Sequence, residues 1–139
     1  MEKFFQRLKR ERISSGMKQV QAAKFLKIHP NTYQSYERGY CYPPLERLVA
    51  ISAMLNLSID YLTCRTDINK FKCLNFQNLA LNLKTMRMKQ GCTQKKIAEA
   101  LGISTVSYQN YELNTRTPSY QHFIALADFF QTSCDALLM

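Results

Sequence analysis

The sequence contains no tryptophan, only 4 glycines and 4 prolines, and no Cys-x-x-Cys pair among its 5 cysteines. So little glycine and proline, with 46% hydrophobic side chains over 139 residues, excludes collagen-like, low-complexity and disordered chains. No apolar run approaches the ~18 residues of a membrane-spanning helix. The longest, Leu48 to Leu55, suits a core helix. Met1 to Arg7 lacks the apolar stretch of a signal peptide, so a cytoplasmic protein without a membrane partner is expected. The cysteines (Cys41, Cys64, Cys73, Cys92 and Cys134) are odd in number, and His29 and His122 stand far apart, which leaves no zinc-site spacing. Reduced thiols acting as small hydrophobes are expected, with no metal and no cofactor. No set of Asp, Glu, His and Cys has catalytic spacing and no glycine-rich phosphate loop is present, so enzymatic activity is not expected.

What the sequence has in excess is positive charge. Nineteen Lys and Arg against ten Asp and Glu give a net +9. A balance this basic fits a polyanionic partner, nucleic acid first and an anionic membrane second. Divided after Lys70, the first part carries 12 basic and 6 acidic residues and the second 7 and 4, so both are basic.

The chain also repeats itself. With Tyr36-Glu37 laid over Tyr111-Glu112, an offset of 75, the two stretches run without a gap from Leu8/Leu83 to Leu62/Leu137. Seventeen of the 55 paired positions are identical, among them Arg12/Arg87, Gly16/Gly91, Gln19/Gln94, Tyr33/Tyr108, Gln34/Gln109 and Asp60/Asp135. Unrelated sequences would share roughly three or four, so the chain is read as a duplication. The expected organisation is a first copy over 1–64, a linker over 65–75 and a second copy over 76–139. Ile68, Phe71 and Leu74 imply that part of the linker packs against a domain.

Within each copy the apolar period is helical. Ile97, Ala98 and Leu101 share one face, as do Phe123, Leu126, Ala127 and Phe130; Ala22, Ala23 and Leu26, and Leu48, Ile51, Ser52 and Leu55, are their counterparts. No stretch alternates with period two for long enough to form a strand. Thr93, Ser104, Ser58 and Ser133 suit N-caps, and Pro30 suits a first helical turn. The expected fold is all-α, with five short helices per copy. From Thr93 to Glu112 the pattern is specific: an amphipathic helix, a tight turn at Gly102, and a second helix opening at Ser104, with Ile103 plugging the corner. Such a helix-turn-helix lays its second helix in a DNA major groove.

The run Thr93-Gln94-Lys95-Lys96-Ile97-Ala98-Glu99-Ala100-Leu101-Gly102-Ile103-Ser104, followed by Glu112 and Pro118, resembles the lambda-repressor-like (Xre-type, Cro-like) helix-turn-helix family of bacterial and phage transcription regulators. The first copy departs from that pattern with Lys27 at the turn glycine. Lysine in a left-handed conformation costs on the order of 1 kcal/mol, which the fold can carry.

The resemblance implies roles position by position. Gln19 and Gln94, opening the second helix of each copy, would hydrogen-bond a phosphate. Arg38, Lys95 and Arg116 would also meet the backbone. His29, Asn31, Gln34 and Ser35 in the first copy, and Ser104, Thr105, Gln109 and Asn110 in the second, would face base edges. Asn and Gln suit adenine, and a Thr methyl suits the thymine methyl. The pairs Arg12–Glu37 and Arg87–Glu112 are assigned to structure. Tyr33, Tyr36, Tyr108 and Tyr111 fall on the inward side and are expected in the core.

The function implied is a sequence-specific double-stranded DNA-binding regulator, a repressor by type. The alternative is a protein-interaction module of antitoxin or anti-repressor kind on the same scaffold. Two arrangements stay open: an intrachain pseudo-dimer that reads an asymmetric two-part site, or one copy on DNA while the other dimerises, with Tyr120, Phe123, Phe129 and Phe130 as its interface.

Overall fold

The computed structural model describes residues 1–139 and is helical throughout, without strands. Two compact units divide it, Met1–Cys73 and Leu74–Met139. The first holds α1 (Phe4–Ser14), α2 (Gln19–Phe25), α3 (Pro30–Glu37), α4 (Leu45–Leu55) and α5 (Ile59–Leu62). The second holds α6 (Leu79–Lys89), α7 (Gln94–Leu101), α8 (Thr105–Glu112) and α9 (Tyr120–Phe129). Here the second copy departs from five α-helices. Its fifth element, Asp135–Leu138, is a 3₁₀ helix, and another 3₁₀ turn, Phe76–Asn78, leads into α6.

Side chains set the helix starts. Thr93 accepts from the Lys96 amide, Ser104 from the Ser107 amide and Ser58 from the Tyr61 amide, each relieving one of the unpaired N–H groups of a first turn. Ser133 accepts from the Ala136 amide in the same way. His29 does this with its ring, Nδ1 accepting from the Asn31 amide, ahead of Pro30, whose missing N–H costs nothing at that position.

The backbone of the duplication is kept more faithfully than its residues. Left-handed φ angles recur at four matched positions: Gly16 and Gly91 (75° and 64°), Lys27 and Gly102 (56° and 69°), Gly39 and Asn114 (75° and 58°), Asn56 and Gln131 (53° and 51°). Three of the four have changed residue type while the turn persisted. At Gly39 more than φ is involved, because a Cβ there would lie 2.8 Å from Cδ1 of Phe5. The second copy has Asn114 at this position and Ala80 in place of Phe5.

Each unit closes over its own core. Leu8, Tyr33, Leu48, Ile51 and Ile59 are fully enclosed in the first, as are Leu83, Ile97, Tyr108, Phe123 and Leu126 in the second. Enclosing an aliphatic or Phe side chain of this kind contributes about 1.5–3 kcal/mol. Phe123 and Phe130 therefore belong to the core and not to an interface; Tyr120 and Phe129 are half-buried. Among the cysteines only Cys134 behaves as a core hydrophobe, while Cys41 and Cys73 are exposed and all five are free thiols. A cysteine in a surface loop has no apolar neighbours to join, which overturns the general expectation for those two.

The segment after the first copy is fastened well past its last helix. Arg7 of α1 is buried and turns the end of its fork on this exit: Nη1 donates to the carbonyls of Tyr61 and Thr66 at 2.8 Å each and Nη2 to Asp67 at 2.7 Å, while Nε donates to Glu2 ahead of α1 at 2.8 Å. Its guanidinium lies over the Tyr61 ring, 4.5 Å from the centroid. Asn69 follows, accepting from the Ser58 amide and donating to the Asn56 carbonyl. In the second unit Asn75 donates its amide to Leu138, and Asn82, at the position of Arg7, donates to the Leu137 carbonyl. Residues 70–74 lie between these two sets of fastenings. No helix is long and apolar enough to cross a membrane.

Candidate nucleic-acid interface

In each unit a short helix opens just after a left-handed turn: α3 after Lys27, α8 after Gly102. Its inner face is apolar. Tyr33 and Tyr36 on α3, and Tyr108 and Tyr111 on α8, are buried and meet edge to face, at 6.4 and 6.2 Å between centroids. About two turns of helix anchored by two large rings have little freedom to rotate, so the opposite face is fixed outward.

A charged cluster locks the far end of that helix. Arg12 of α1 grips Glu37, the last residue of α3, through Nε and through Nη2 at 3.1 Å. Its Nη1 donates to the Met17 carbonyl in the turn before α2 at 2.7 Å. Gln19, the first residue of α2, donates its side-chain amide to the same Glu37 at 2.7 Å. The second unit repeats the set: Arg87 to Glu112 at 2.6 and 3.1 Å, Arg87 to the Cys92 carbonyl at 3.2 Å, and Gln94 to Glu112 at 2.9 Å. The carboxylate thus ties three helices in each copy. The Glu37 and Glu112 side chains are only 1% and 4% exposed. The hydroxyls of Tyr33 and Tyr108 are buried without a hydrogen-bond partner. Their burial, with the neighbouring Glu37 or Glu112 carboxylate, pushes both phenols well above the usual tyrosine range.

Burial pushes the two carboxyls up, but the hydrogen bonds from Arg12 and Gln19, or from Arg87 and Gln94, outweigh it and hold both below the ordinary value of 4.5. A carboxyl lowered on folding stabilises the fold above its unfolded value, and that contribution is lost as pH falls through the lower, folded value. Stability is therefore expected to be level near neutrality and to drop below about pH 4.5. Glu112→Gln should flatten the acid branch of the second unit in a thermal titration. An acid branch equal to that of the unmodified chain would show that other carboxylates set it.

Several of the residues assigned to DNA are already engaged. Gln19 and Gln94 are half-buried, and each commits one amide hydrogen to the glutamate, which leaves the other hydrogen to donate to a phosphate. The Ser35 hydroxyl donates to the Asn31 carbonyl of its own helix at 2.9 Å. Ser104 caps α8 and shares a 2.9 Å hydrogen bond with the Ser107 hydroxyl. His29 keeps Nδ1 on the Asn31 amide, with the ring exposed. Asn31 and Gln109 are exposed; Gln34, Thr105 and Asn110 are half-buried.

The cations flanking the helices are exposed but not duplicated. Lys95 stands where the first copy has Val20, and Arg116 where it has Cys41, whereas Arg38 of the first copy is matched by Leu113. One outward residue of α8 has no contact assigned to it. Val106, in the first turn of α8, is 63% exposed and occupies the position of Asn31. The offset of 75 was the signal that pointed to it. No group of three or more His, Cys, Asp and Glu side chains is placed to hold a metal ion.

Comparison with known proteins agrees with this geometry. The family model described as Helix-turn-helix matches twice, over residues 8–62 and 83–137, the same register as the internal repeat. The HTH-type transcriptional regulator ImmR of Bacillus subtilis is 32% identical over 83 residues, covering 60% of this chain and 65% of ImmR. The cryptic phage CTXphi transcriptional repressor RstR of Vibrio cholerae is 35% identical over 101 residues, covering 71% of this chain and 84% of RstR. An SPbeta prophage-derived regulator of Bacillus subtilis, YonR, is 41% identical over 59 residues, 42% of this chain and 55% of YonR. Across the first Bacillus relatives the match spans about half to two-thirds of their length. No solved structure matches the chain. The chain belongs to the lambda-repressor-like helix-turn-helix family, and it carries that domain twice.

Proposed function

We propose that the protein is a sequence-specific, double-stranded DNA-binding transcriptional repressor without catalytic activity, and that α3 and α8 both enter the major groove. One observation carries the reading: in each copy a short helix is pinned by buried tyrosines and an Arg–Glu–Gln cluster while its outer face stays open. A helix fixed in this way reaches base edges without first spending free energy on its own ordering. RstR, a relative, bears the name of a repressor. Asn31, Gln34, Gln109 and Asn110 are the amide-bearing readers, His29 adds its exposed ring, and Thr105 supplies a methyl and a hydroxyl. The hydroxyls of Ser35 and Ser104 serve first to shape the helix. Gln19, Gln94, Arg38, Lys95 and Arg116 hold phosphates. The two copies act as a pseudo-dimer within one chain, on a site whose halves differ because Asn31 and Val106, and Ser35 and Asn110, differ.

The test is binding to fragments selected from a random library, followed across a salt series. Affinity should fall by about 0.9 log units per log unit of salt for each phosphate neutralised. Gln109→Ala should weaken the selected site by about 1–3 kcal/mol and relax one base position, whereas Gln94→Ala should weaken all sequences alike. A flat salt response would replace DNA with a protein partner.

A further inference from the structure

We propose that Val106 reads the 5-methyl group of a thymine, so that the second copy selects for a methyl at the point where the first copy, with Asn31, selects for hydrogen-bonding groups. The inference rests on the DNA-binding reading above and deepens it at one residue.

The first turn of α8 contains Ser104, Thr105, Val106 and Ser107. The two serine hydroxyls are bonded to each other, and Ser104 also accepts the Ser107 amide, so both serines of this turn are engaged within the helix. Val106 lies between them at 63% exposure, in a helix whose inner face is closed by Tyr108 and Tyr111. Gln109 and Asn110 follow it at i+3 and i+4, so the valine shares its face with two of the assigned readers. In the fold this position contributes nothing to the core. An exposed valine gains only if something apolar covers it, and in the major groove the one apolar feature on a base edge is the thymine methyl.

Shape favours the same partner. A β-branched side chain has essentially one χ1 rotamer in a helix, so the two valine methyls are already set and lose little freedom on contact. The corresponding Asn31 is also exposed, at the same step after its cap, and offers an amide instead. An amide pairs with adenine N6 and N7 and takes nothing from a methyl. The duplication therefore holds two heads of one design that ask different questions of the same base step.

Uracil lacks only the 5-methyl group, which makes it the probe. In the selected duplex, each thymine is replaced in turn by uracil and binding to the full chain is measured. One thymine in the half-site of the second copy should lose about three- to tenfold in affinity, the size of one well-buried methyl. In Val106→Ala that loss should vanish at this thymine while the response at every other thymine, and the salt slope, stay as before. Val106→Asn should shift the preferred base there toward adenine, a change that loss of folding cannot mimic. If no thymine responds to uracil, or if Val106→Ala responds as strongly as the unmodified chain, the assignment is overturned while the DNA-binding reading stands. If the chain binds no duplex at all, that reading has failed and the assignment fails with it.

Discussion

Arg12→Ala should destabilise the first unit by about 3–5 kcal/mol, the penalty for leaving a buried carboxylate without its partner. The guanidinium makes two bonds to Glu37 and a third to the Met17 carbonyl, and its side chain is 9% exposed. Gln19 would remain, but a neutral amide offers one hydrogen bond and no charge. Arg12→Lys should recover only part of the loss, since an ammonium cannot span both carboxylate oxygens and the turn carbonyl together. Hydrogen exchange at the amides of α1 to α5, measured beside those of α6 to α9, separates the two units within one chain. A loss below about 1 kcal/mol would mean that Glu37 is solvated well enough to stand alone. Such a variant should also misplace α3, so affinity for DNA would fall for a reason unconnected with any base contact.

The second large effect concerns the tandem arrangement. Scrambling one half of the selected site should weaken binding of the full chain by about 10²–10⁴-fold, although the other half keeps all its contacts. Once one copy is bound, the second is held nearby by a short tether and searches a small volume at high effective concentration. The eleven residues of 65–75, drawn out, would reach roughly 35–40 Å. Arg7 and Asn69 hold the early part on the first unit, and Asn75 is fixed in the second, so the stretch left to adjust is 70–74. Footprints on duplexes with one or both halves intact would measure the effect. A change below threefold would assign reading to a single copy and leave the other for dimerisation or partner binding.

The sequence made much of this legible, because duplication turns weak local signals into paired ones. The all-helical class, the register of the two copies and the left-handed turn at Gly102 could be read from periodicity, identity and glycine chemistry. The turn at Lys27 could be read only because Gly102 stood opposite it. Other features were hidden for physical reasons. That Gln19 and Gln94 bond to Glu37 and Glu112 depends on three helices meeting, and no spacing along the chain reveals it. The capping bonds of Ser104 and the inward bond of Ser35 come from competition between a hydroxyl and its own helix, which makes a polar surface residue look freer than it is. Val106 drew no assigned contact because hydrogen-bonding side chains advertise base readout in a sequence and an outward methyl does not. The exit clasp around Arg7 was invisible because one carbonyl and one carboxylate that it binds fall beyond the repeat, at Thr66 and Asp67.

That clasp has a consequence for how such a chain is cut or lengthened. A fragment ending at Leu62, where the repeated pattern stops, would strand Arg7 with two of its four acceptors gone. Trimming to the family boundary thus wounds the lobe that it is meant to isolate. An insertion ahead of Asn69 would likewise pull on α1 before adding any slack. The covalent slack between the two copies is therefore written in the handful of codons from Lys70 to Leu74, which neither set of fastenings reaches.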